Sequence, residues 1–299
     1  MRINFPTVAN ETVASFRYRI KAPVDYLNAA GYTVTINDPG GADVAVFSKH
    51  FNTMKDAQGI KWHGYKKTVF DVCDNHFEGD NKAHYEYMCQ QADQVVASTP
   101  MMAEVIKKYT GRDSVVIPDP YEWPEKEPKK YDRIERLFWY GHPVNMQALL
   151  RVMPEIDGYW LYAVGQMVDW FDFKVYPYSH GNMANGFENT DLVIIPTISD
   201  SRSKVKGPNR MVEAIRQGVF VVAEPLPCYE EFSKWMWVGG IRDGLNWAQK
   251  HRGELAGRVK EAQEYIKTKY SPEAIGEQWV QMIQELTRSN LTSAVGEDS

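Results

Sequence analysis

The sequence predicts an α/β protein made of two Rossmann-like domains, each built on a mostly parallel sheet. Short β-branched runs alternate with helical segments up to residue 117, which is the order of successive βαβ units. The alternation stops at a proline-punctuated stretch, PDPYEWPEKEPKKYDR (118–133), and then resumes. The 299 residues are about twice the length of a typical domain, and the 43% apolar share is that of globular proteins.

The elements of the first half are short and well separated. Strands are predicted at 3–5, 33–36, 42–47, 68–72, 94–97 and 115–117, and helices at 16–30, 82–91 and 101–109. The prolines of 118–133 prevent a long helix or a central strand, so we expect an interdomain linker there. A long surface loop inside one domain is the alternative.

The second half repeats the alternation and then becomes helical. Strands are predicted at 136–140, 160–164, 173–176, 192–196 and 219–223, with helices from 144, near 183 and at 208–217. An amphipathic helix closes the chain, with Ser271 as N-cap and Pro272 at its first position. We therefore expect domains at 1–125 and 132–270, a terminal helix at 271–288 and a mobile tail at 289–299.

Composition excludes several classes of protein. The net charge of −5 and the pI of about 5.9 give no global reason to expect a nucleic-acid partner. Three scattered cysteines without C-x-x-C spacing indicate neither a disulfide framework nor a zinc site. Neither a secretory signal nor a run of apolar residues long enough for a membrane span is present, so a cytoplasmic location is expected.

Common ligand-binding motifs are missing. No G-x-G-x-x-G follows a predicted strand, which argues against nicotinamide binding. Neither a G-x-x-x-x-G-K-[ST] loop nor a G-x-S-x-G elbow occurs, so the common ATPase and hydrolase classes are not indicated.

The most informative stretch runs from Asp191 to Pro225 and encodes a buried strand, a loop, an amphipathic helix and a second buried strand. Ligands of open α/β sheets bind at the carboxyl ends of strands, and a helix N-terminus there attracts anions. With Pro208 at the first helical position, Lys206 and Gly207 precede the helix, while Asn209 and Arg210 fall in its first turn. This arrangement suits a diphosphate, which becomes more anionic when a sugar departs.

Glu213 lies one turn further along the same helix edge, where a carboxylate can accept hydrogen bonds from ribose hydroxyls. The alternative is a surface of solvated charges in which Glu213 pairs with Arg210 or Arg216.

Several segments resemble GT-B glycosyltransferases, especially glycosyltransferase family 4. The segment KGPNRMVEAIRQGVFVV (206–222) is similar to the family's nucleotide-sugar signature. SFRYRIKAPVDYLNAAGYTV (15–34), ADQVVASTPMMAEVIKKYTGRDSVVIPDP (92–120) and LFWYGHPVNMQALL (137–150) resemble other family segments in the family's order. The resemblance implies that the two domains face each other across a cleft and that the terminal helix crosses back to the first domain.

The resemblance also implies roles for individual residues. Lys206, Asn209 and Arg210 address the diphosphate, Glu213 the ribose, and the loop of Gly141 and His142 the phosphate side, with help from Asn145. Where relatives carry an earlier glutamate, this chain has Val205. Ser201 and Arg202 are the substitutes to test at the sugar end of the donor.

The resemblance implies that the first domain supplies the acceptor side. FDVCDNHF (70–77) ends a buried strand with Asp71, Asp74 and His76 at its carboxyl tip. Asp74 and His76 are candidates for a base that meets an acceptor hydroxyl, and the alternatives are a turn cap and a surface histidine. Arg17 and Arg19 are further acceptor-side candidates, with a salt-bridged arginine as the alternative.

The resemblance implies a retaining transfer without a protein nucleophile, a metal or a tightly bound cofactor. The co-substrate is a nucleotide sugar, with UDP-sugar as the expected donor. The sequence leaves the sugar, the acceptor and the oligomeric state open.

One basic stretch bears on the acceptor. Residues 48–67 hold five lysines, Asp56 as their single acidic residue, and interleaved Trp62 and Tyr65. Such a patch can hold a phosphate backbone, so a hydroxymethylated base of DNA, as modified by phage enzymes, is one acceptor class. A solvated lysine-rich face is the alternative, and a glycan or small molecule is the other acceptor class.

Three other functions share parts of this pattern. A nucleotide-sugar epimerase has the same architecture but needs a second carboxylate cluster, which the later domain lacks. A two-lobed sugar- or nucleotide-binding protein and a non-catalytic relative remain as binding proteins. Product formation from a labelled sugar nucleotide separates the enzyme from both of these.

Overall fold

The computed structural model describes residues 1–48, 54–60, 64–165 and 174–288. It divides into two compact units. Unit 1 consists of Met1–Pro120, Val205–Gly207 and the chain from Lys269 onwards, and unit 2 consists of Tyr121–Lys204 and Pro208–Thr268. The predicted mobile tail, 289–299, lies outside the described residues.

Unit 1 contains a six-stranded parallel sheet. Its spatial order is β2-β1-β3-β4-β5-β6. The strands are β1 (Arg2–Phe5), β2 (Thr33–Ile36), β3 (Val44–Ser48), β4 (Lys67–Val72), β5 (Gln94–Ala97) and β6 (Val115–Val116). All five neighbouring pairs run parallel, as expected for strands connected through helices.

Alternation along the strands of unit 1 produces two cores, one on each face of the sheet. In β3, Val44 and Val46 belong to one apolar cluster, whereas Ala45 and Phe47 belong to the other. Because successive side chains of a strand point to opposite faces, strands buried on both faces read as continuous apolar runs.

Helices cover both faces of this sheet. They are α1 (Ala14–Phe16), a π-helical turn (Arg17–Lys21), α2 (Ala22–Ala29), α3 (Met54–Gln58), α4 (Lys82–Gln91), α5 (Pro100–Thr110) and the terminal α11 (Pro272–Arg288). Helix α11 packs on α2, and a Cβ at Gly276 would lie 2.1 Å from the Tyr26 ring, so this close approach requires glycine. The predicted C-terminal helix is therefore part of the same unit as the N-terminal sheet.

Unit 2 contains a second six-stranded parallel sheet, in the order β12-β11-β10-β7-β8-β9. The strands are β7 (Arg136–Tyr140), β8 (Trp160–Gly165), β9 (Val175–Pro177), β10 (Leu192–Ile195), β11 (Phe220–Ala223) and β12 (Trp237–Val238). The helices are α6 (Met146–Val152), α7 (His180–Asn189), α8 (Asn209–Arg216), α9 (Ile241–Lys250) and α10 (Arg252–Tyr270). The two parallel sheets with their helices confirm the predicted fold class.

The proline-rich stretch after residue 120 packs on unit 2. The Gln217 side chain donates to the Pro124 carbonyl at 2.7 Å, and the Tyr131 hydroxyl accepts from the Phe220 amide at 2.8 Å. Gly218 has a φ of +73°, and a Cβ there would meet the Glu127 carbonyl at 2.2 Å. Glycine is thus required where the C-terminus of α8 meets this stretch.

Candidate functional site

The carboxyl edge of the unit 2 sheet brings two glycines together. Gly141 follows β7 and Gly165 ends β8, and these strands are paired in parallel register. The Gly141 amide donates to the Val164 carbonyl at 3.1 Å, and a Cβ on Gly165 would lie 2.8 Å from the Gly141 oxygen. Beneath both, the buried Trp139 ring would lie 3.1 Å from a Cβ on Gly141. The backbone of this edge is therefore closely packed and free of side chains at both positions.

His142 and Asn145 belong to the same loop, as predicted. The Nδ1 of His142 accepts a hydrogen bond from the Val144 amide at 3.3 Å and so caps a short 3-10 turn, Pro143–Asn145. The Asn145 amide donates to the His142 carbonyl at 2.8 Å, and its side-chain nitrogen lies beside Gly141. The loop thus presents a glycine, a histidine and an amide at the end of one strand.

Arg210 lies in the first turn of α8 and is half-buried. Its backbone carbonyl accepts a hydrogen bond from the Tyr140 hydroxyl, which ties α8 to the end of β7. Its Nη1 is buried and has no hydrogen-bond partner among the described residues. A buried guanidinium nitrogen without a partner carries a desolvation cost that a bound anion would remove.

The surroundings of Arg210 are phenolic and apolar. Burial raises the pKa of Tyr229 to about 12, while a hydrogen bond and the positive charge of Arg210 act in the opposite direction. Burial and the negative charge of Glu213 raise the pKa of Tyr140. Both phenols are therefore neutral at physiological pH, and neither offers Arg210 a countercharge.

Glu213 is buried on the same helix, with 3% of its surface exposed. Its carboxylate accepts backbone hydrogen bonds from Glu122 at 2.8 Å and Trp123 at 3.3 Å. These contacts fix the chain at the start of unit 2 against α8.

Arg216, the alternative partner considered for Glu213, pairs instead with Glu125. The same Glu125 carboxylate also lies 3.6 Å from Lys260.

Ser201 and Arg202 lie exposed in a turn between β10 and α8. The carboxylate of Asp200 accepts a hydrogen bond from the Ser203 amide at 2.7 Å, which lowers the pKa of Asp200. This Asx-type contact organises the turn locally. The role of Ser201 and Arg202 at the sugar end of a donor stays a prediction.

Lys206 and Gly207 are grouped with unit 1, whereas Pro208 and α8, which follow them in sequence, are grouped with unit 2. The Lys206 ammonium forms an ion pair with the Asp74 carboxylate. The ring of His76, two residues further, packs against Tyr85 with 4.8 Å between ring centroids. Lys206, predicted for the donor site, and Asp74, one of the two predicted acceptor-side bases, therefore form an ion pair within unit 1.

Arg19 forms the salt bridge that the sequence left as its alternative. Its guanidinium pairs with Asp71, reaches Asp119 at 3.2 Å, and donates to the Ile117 carbonyl at 2.6 Å. The side chains of Arg19 and Asp71 are 1% and 0% exposed, and Ser48 donates to Asp71 at 2.7 Å. These contacts stabilise the framework of unit 1, and an acceptor-side role for Arg19 and Asp71 stays a prediction.

Arg17 lies in the π-helical turn and is half-buried. It donates to the Glu11 carbonyl at 3.0 Å, a contact that fixes the loop after β1.

The described residues contain no group of three or more His, Cys, Asp or Glu side chains able to hold a metal ion. Within the same part of the chain, no helix has both the length and the apolar character needed to cross a bilayer.

Sequence reasoning missed several residues at these edges. Gly165 is the last residue of β8, and Gly141 comes directly after β7. Glycine at the ends of two strands was a sequence signal that could have indicated Gly165 as a site residue. Glu224, after β11, pairs with Arg151 and accepts from the Thr197 amide at 2.7 Å, and its position next to a buried strand was a second signal. Tyr229 gave no local signal, because it reaches Arg210 only through the fold.

No protein-family model and no curated protein matches this sequence. Solved structures of glycosyltransferases do match the fold. HepE from Anabaena, in complex with UDP and glucose, superposes with a TM-score of 0.71 at 13% identity, covering 95% of this chain and 100% of that one. WaaG, a glycosyltransferase of lipopolysaccharide biosynthesis, gives 0.65 at 10% identity over 95% and 99% of the two chains.

S. aureus TarM, solved with UDP and an α-GlcNAc-glycerol, gives a TM-score of 0.62 at 14% identity. The match covers 80% of this chain, which spans 54% of the TarM chain. The chain therefore has the GT-B fold, with two Rossmann-like domains, found in these proteins.

Proposed function

We propose that this chain is a glycosyltransferase that moves a sugar from a UDP-sugar to an acceptor hydroxyl. The observation that carries the proposal is the buried Nη1 of Arg210, which lacks a partner among the described residues and lies in the first turn of a helix at the carboxyl edge of the sheet. The fold shared with glycosyltransferase structures supports the same function. The proposed donor set in unit 2 is Gly141, His142, Asn145, Asn209, Arg210 and Glu213.

These residues account for the departure of the sugar. When the bond between the anomeric carbon and the diphosphate breaks, the diphosphate gains negative charge, and the guanidinium of Arg210 stabilises that charge. Glu213 would accept hydrogen bonds from the ribose hydroxyls, at a distance from the diphosphate that avoids repulsion. We further propose that the transfer proceeds with retention and uses the departing diphosphate in place of a protein nucleophile.

On the acceptor side we propose His76 as the general base. The Asp74 carboxylate is engaged by Lys206, whereas an imidazole changes its protonation state near neutral pH. His76→Gln and Asp74→Asn separate these roles. A base role predicts that His76→Gln lowers kcat and removes an acidic limb from its pH profile, with the KM for UDP-sugar unchanged.

Calorimetric titration with UDP, GDP, ADP and their sugar conjugates tests the donor site. A nucleotide at 100 times its dissociation constant stabilises the protein by about 2.7 kcal/mol, which a thermal scan also detects. We expect UDP to bind, and binding to be weakened in Arg210→Ala and Glu213→Ala. Arg133→Ala is the matched control, since this exposed arginine of unit 2 pairs only locally with Glu135. Wild-type protein that binds none of the nucleotides would refute the proposal.

A transfer assay with labelled UDP-sugar and an acceptor panel then separates the enzyme from the alternatives. NMR of the product gives the anomeric configuration, and inversion would refute retention. Conversion of the UDP-sugar without an acceptor would indicate an epimerase. Binding without any turnover would indicate a binding protein.

The finer hypothesis of a hydroxymethylated DNA acceptor rests on the basic stretch. Lys49, Lys61, Trp62 and His63 lie outside the described residues. Within the described part, Lys66 lies 2.7 Å from Asp43 and Lys67 lies 3.8 Å from Asp93, so both charges are compensated. Glycan and small-molecule acceptors therefore come first in the panel. DNA binding that weakens steeply with salt and is lost when the five lysines become alanine would restore DNA to first place.

A further inference from the structure

An exposed tryptophan lies near the edge of the unit 2 sheet. Trp160 is the first residue of β8, and 77% of its surface is exposed. Its amide donates to the Glu135 carbonyl at 2.8 Å, so its backbone is fixed although its ring is open to solvent. Gly165 ends the same strand five residues later, which is about 16 Å away. The ring therefore lies at the opposite end of the strand from the proposed donor loop.

Two stacked tyrosines extend the same face of the sheet. Tyr162 is two residues after Trp160, and alternate residues of a strand share a face. Its ring stacks on Tyr176 of the edge strand β9, with 4.6 Å between the ring centroids and 18° between the planes. Both tyrosines are half-buried. These three rings, Trp160, Tyr162 and Tyr176, are called the aromatic platform below.

Two asparagines of α7 border the aromatic platform, and both are exposed. The side-chain nitrogen of Asn185 donates to the Tyr162 hydroxyl at 3.2 Å. The side-chain nitrogen of Asn189 donates to the Asn185 side-chain oxygen at 2.7 Å. An amide group carries two donor hydrogens and an acceptor oxygen, so neutral hydrogen-bonding groups of both kinds lie beside the rings.

The charges next to the aromatic platform already have partners. Arg136 is paired with Trp160 in the strand register, and its guanidinium forms an ion pair with Asp191 at 2.6 Å. The Lys174 ammonium lies 4.6 Å from the centroid of the Tyr176 ring, which attracts it through its π-face. The surface therefore suits an uncharged ligand better than an anion.

The size of the surface indicates a small ligand. Helix α7 covers the inner part of the face, where Phe187 lies 5.1 Å from Phe138 and a Cβ on Gly186 would lie 2.4 Å from the Phe138 ring. The indole and the outer parts of two phenol rings are left. An aromatic side chain contributes about 150–250 Å² of contact area, whereas each partner of a stable protein interface buries about 800 Å². The area is therefore too small for a folded protein or a second copy of this chain.

A pyranose ring has the complementary chemistry. One face of the ring carries C–H bonds, whose partial positive charge is attracted to the negative π-face of an aromatic ring. Its rim carries hydroxyl groups, which both donate and accept hydrogen bonds. We propose that the aromatic platform, with Asn185 and Asn189, is a binding site for a neutral oligosaccharide. The inference goes beyond the proposed function, since this site binds sugar whether or not the chain transfers one.

Saturation-transfer NMR with cellohexaose, N-acetylchitohexaose and maltoheptaose tests the site. We expect transfer from the protein to the ring C–H protons of at least one of these sugars, and a titration gives its Kd. Trp160→Ala should raise that Kd about 10-fold or more because it removes the exposed ring, whereas Trp160→Phe should keep most of the affinity. Wild-type protein that transfers saturation to none of the three would overturn the proposal, as would an unchanged Kd in Trp160→Ala.

Trp235→Ala is the matched control. Trp235 is a half-buried tryptophan of the same unit, but its ring packs on Tyr265 at 4.9 Å and its indole nitrogen donates to Glu261 at 3.1 Å. This variant should leave the oligosaccharide Kd as in the wild type. Equal rises of the Kd in Trp235→Ala and Trp160→Ala would overturn the proposal. Tyr162→Phe keeps the ring but removes the hydroxyl beside the amides, so it should raise the Kd about 2- to 10-fold.

Competition separates this surface from the donor site. UDP should not displace the oligosaccharide, and Trp160→Ala should bind UDP as the wild type does. Displacement by UDP would assign the oligosaccharide to the donor site and overturn the proposal. Oligosaccharide binding by a protein that binds no nucleotide would refute the proposed function and leave this site standing.

Sedimentation velocity tests whether a second copy of the chain occupies the surface instead. We expect Trp160→Ala to sediment as the wild type does. A wild-type dimer that Trp160→Ala dissociates would assign the aromatic platform to self-association and overturn the proposal.

Discussion

Arg19 in unit 1 and Arg210 in unit 2 differ in how far their guanidinium nitrogens are paired. In unit 1, Arg19 is enclosed by Asp71 and Asp119, and Lys206 is paired with Asp74. In unit 2, Arg210 keeps a buried nitrogen without a partner among the described residues. Two parallel sheets with six strands each thus differ in whether all guanidinium nitrogens of these arginines have partners within the described residues. An ion-paired guanidinium stabilises a framework, whereas a buried guanidinium nitrogen without a hydrogen-bond partner is available to a ligand.

The largest expected effect is on stability in unit 1. Arg19→Ala leaves the buried Asp71 carboxylate without its cation, so we expect a loss of about 3–5 kcal/mol in the free energy of unfolding. Urea denaturation measures it, with Arg210→Ala as the comparison at a loss of less than about 1 kcal/mol. A cost below about 1 kcal/mol for Arg19→Ala would end the distinction between the two arginines.

Arg210→Ala should act on ligand binding instead. Loss of a charge-assisted hydrogen bond to the diphosphate is worth about 1.5–3 kcal/mol, which corresponds to roughly 10- to 100-fold weaker UDP binding. Calorimetry measures it, and Arg210→Lys should recover only part of the affinity because a lysine lacks the guanidinium fork. Equal UDP affinity in the alanine variant would remove Arg210 from the donor site.

Gly165→Ala should disturb the loop of Gly141. The added Cβ meets the Gly141 oxygen at 2.8 Å, so the backbone must shift at a cost of about 1–3 kcal/mol, and UDP binding should weaken with it. Gly257→Ala is the control, because no atom lies within 4 Å of its added Cβ in α10. That variant should be stabilised by up to about 1 kcal/mol. Tm and UDP affinity measure both, and an unchanged Gly165→Ala would contradict the close packing.

The smallest effect concerns an exposed pair in unit 1. The hydrogen bond from Lys66 and the Arg2 amide lower the pKa of Asp43. The stability that the ionised Asp43 carboxylate contributes is present above the pKa of an unfolded carboxyl group, near 4. It is lost as the pH falls through the lower pKa of the folded state. Lys66→Ala should cost at most about 1 kcal/mol at pH 7 and nearly nothing at pH 2. If urea denaturation shows a larger loss for Lys66→Ala, ion pairing without burial would be enough to explain the large loss expected for Arg19→Ala.

The apolar pattern predicted most of the fold. The strands β2, β5 and β7 and the helix α4 have the limits expected from sequence, because each is a periodic run between clear breakers. The short α3 and β12 were missed, since five and two residues give too little periodicity. Helix α8 begins at Asn209 with Pro208 as its N-cap, one residue later than expected.

The site was harder to predict because its charges are distributed through the fold. The motif placed Arg210 and Glu213 on one helix, as found, but not the backbone amides that Glu213 accepts from. The motif also placed Lys206 in the donor set, which stays a prediction, but it did not indicate that the side chain of the preceding Val205 is buried in the core of unit 1. Valine in a loop is ambiguous in sequence, and only the cluster that encloses it determines which unit it joins.

The helix α11 has a consequence for how this protein is made. Trp279 packs against Phe5 at 6.1 Å between ring centroids and lies 5.5 Å from the Arg19 guanidinium, so the last helix completes a face formed by the first strand. On the ribosome, that strand emerges long before its cover. At usual rates of synthesis, the face waits for roughly 10–30 s after unit 1's first segment is complete. During that interval the nascent chain exposes this apolar face, and docking of α11 covers it.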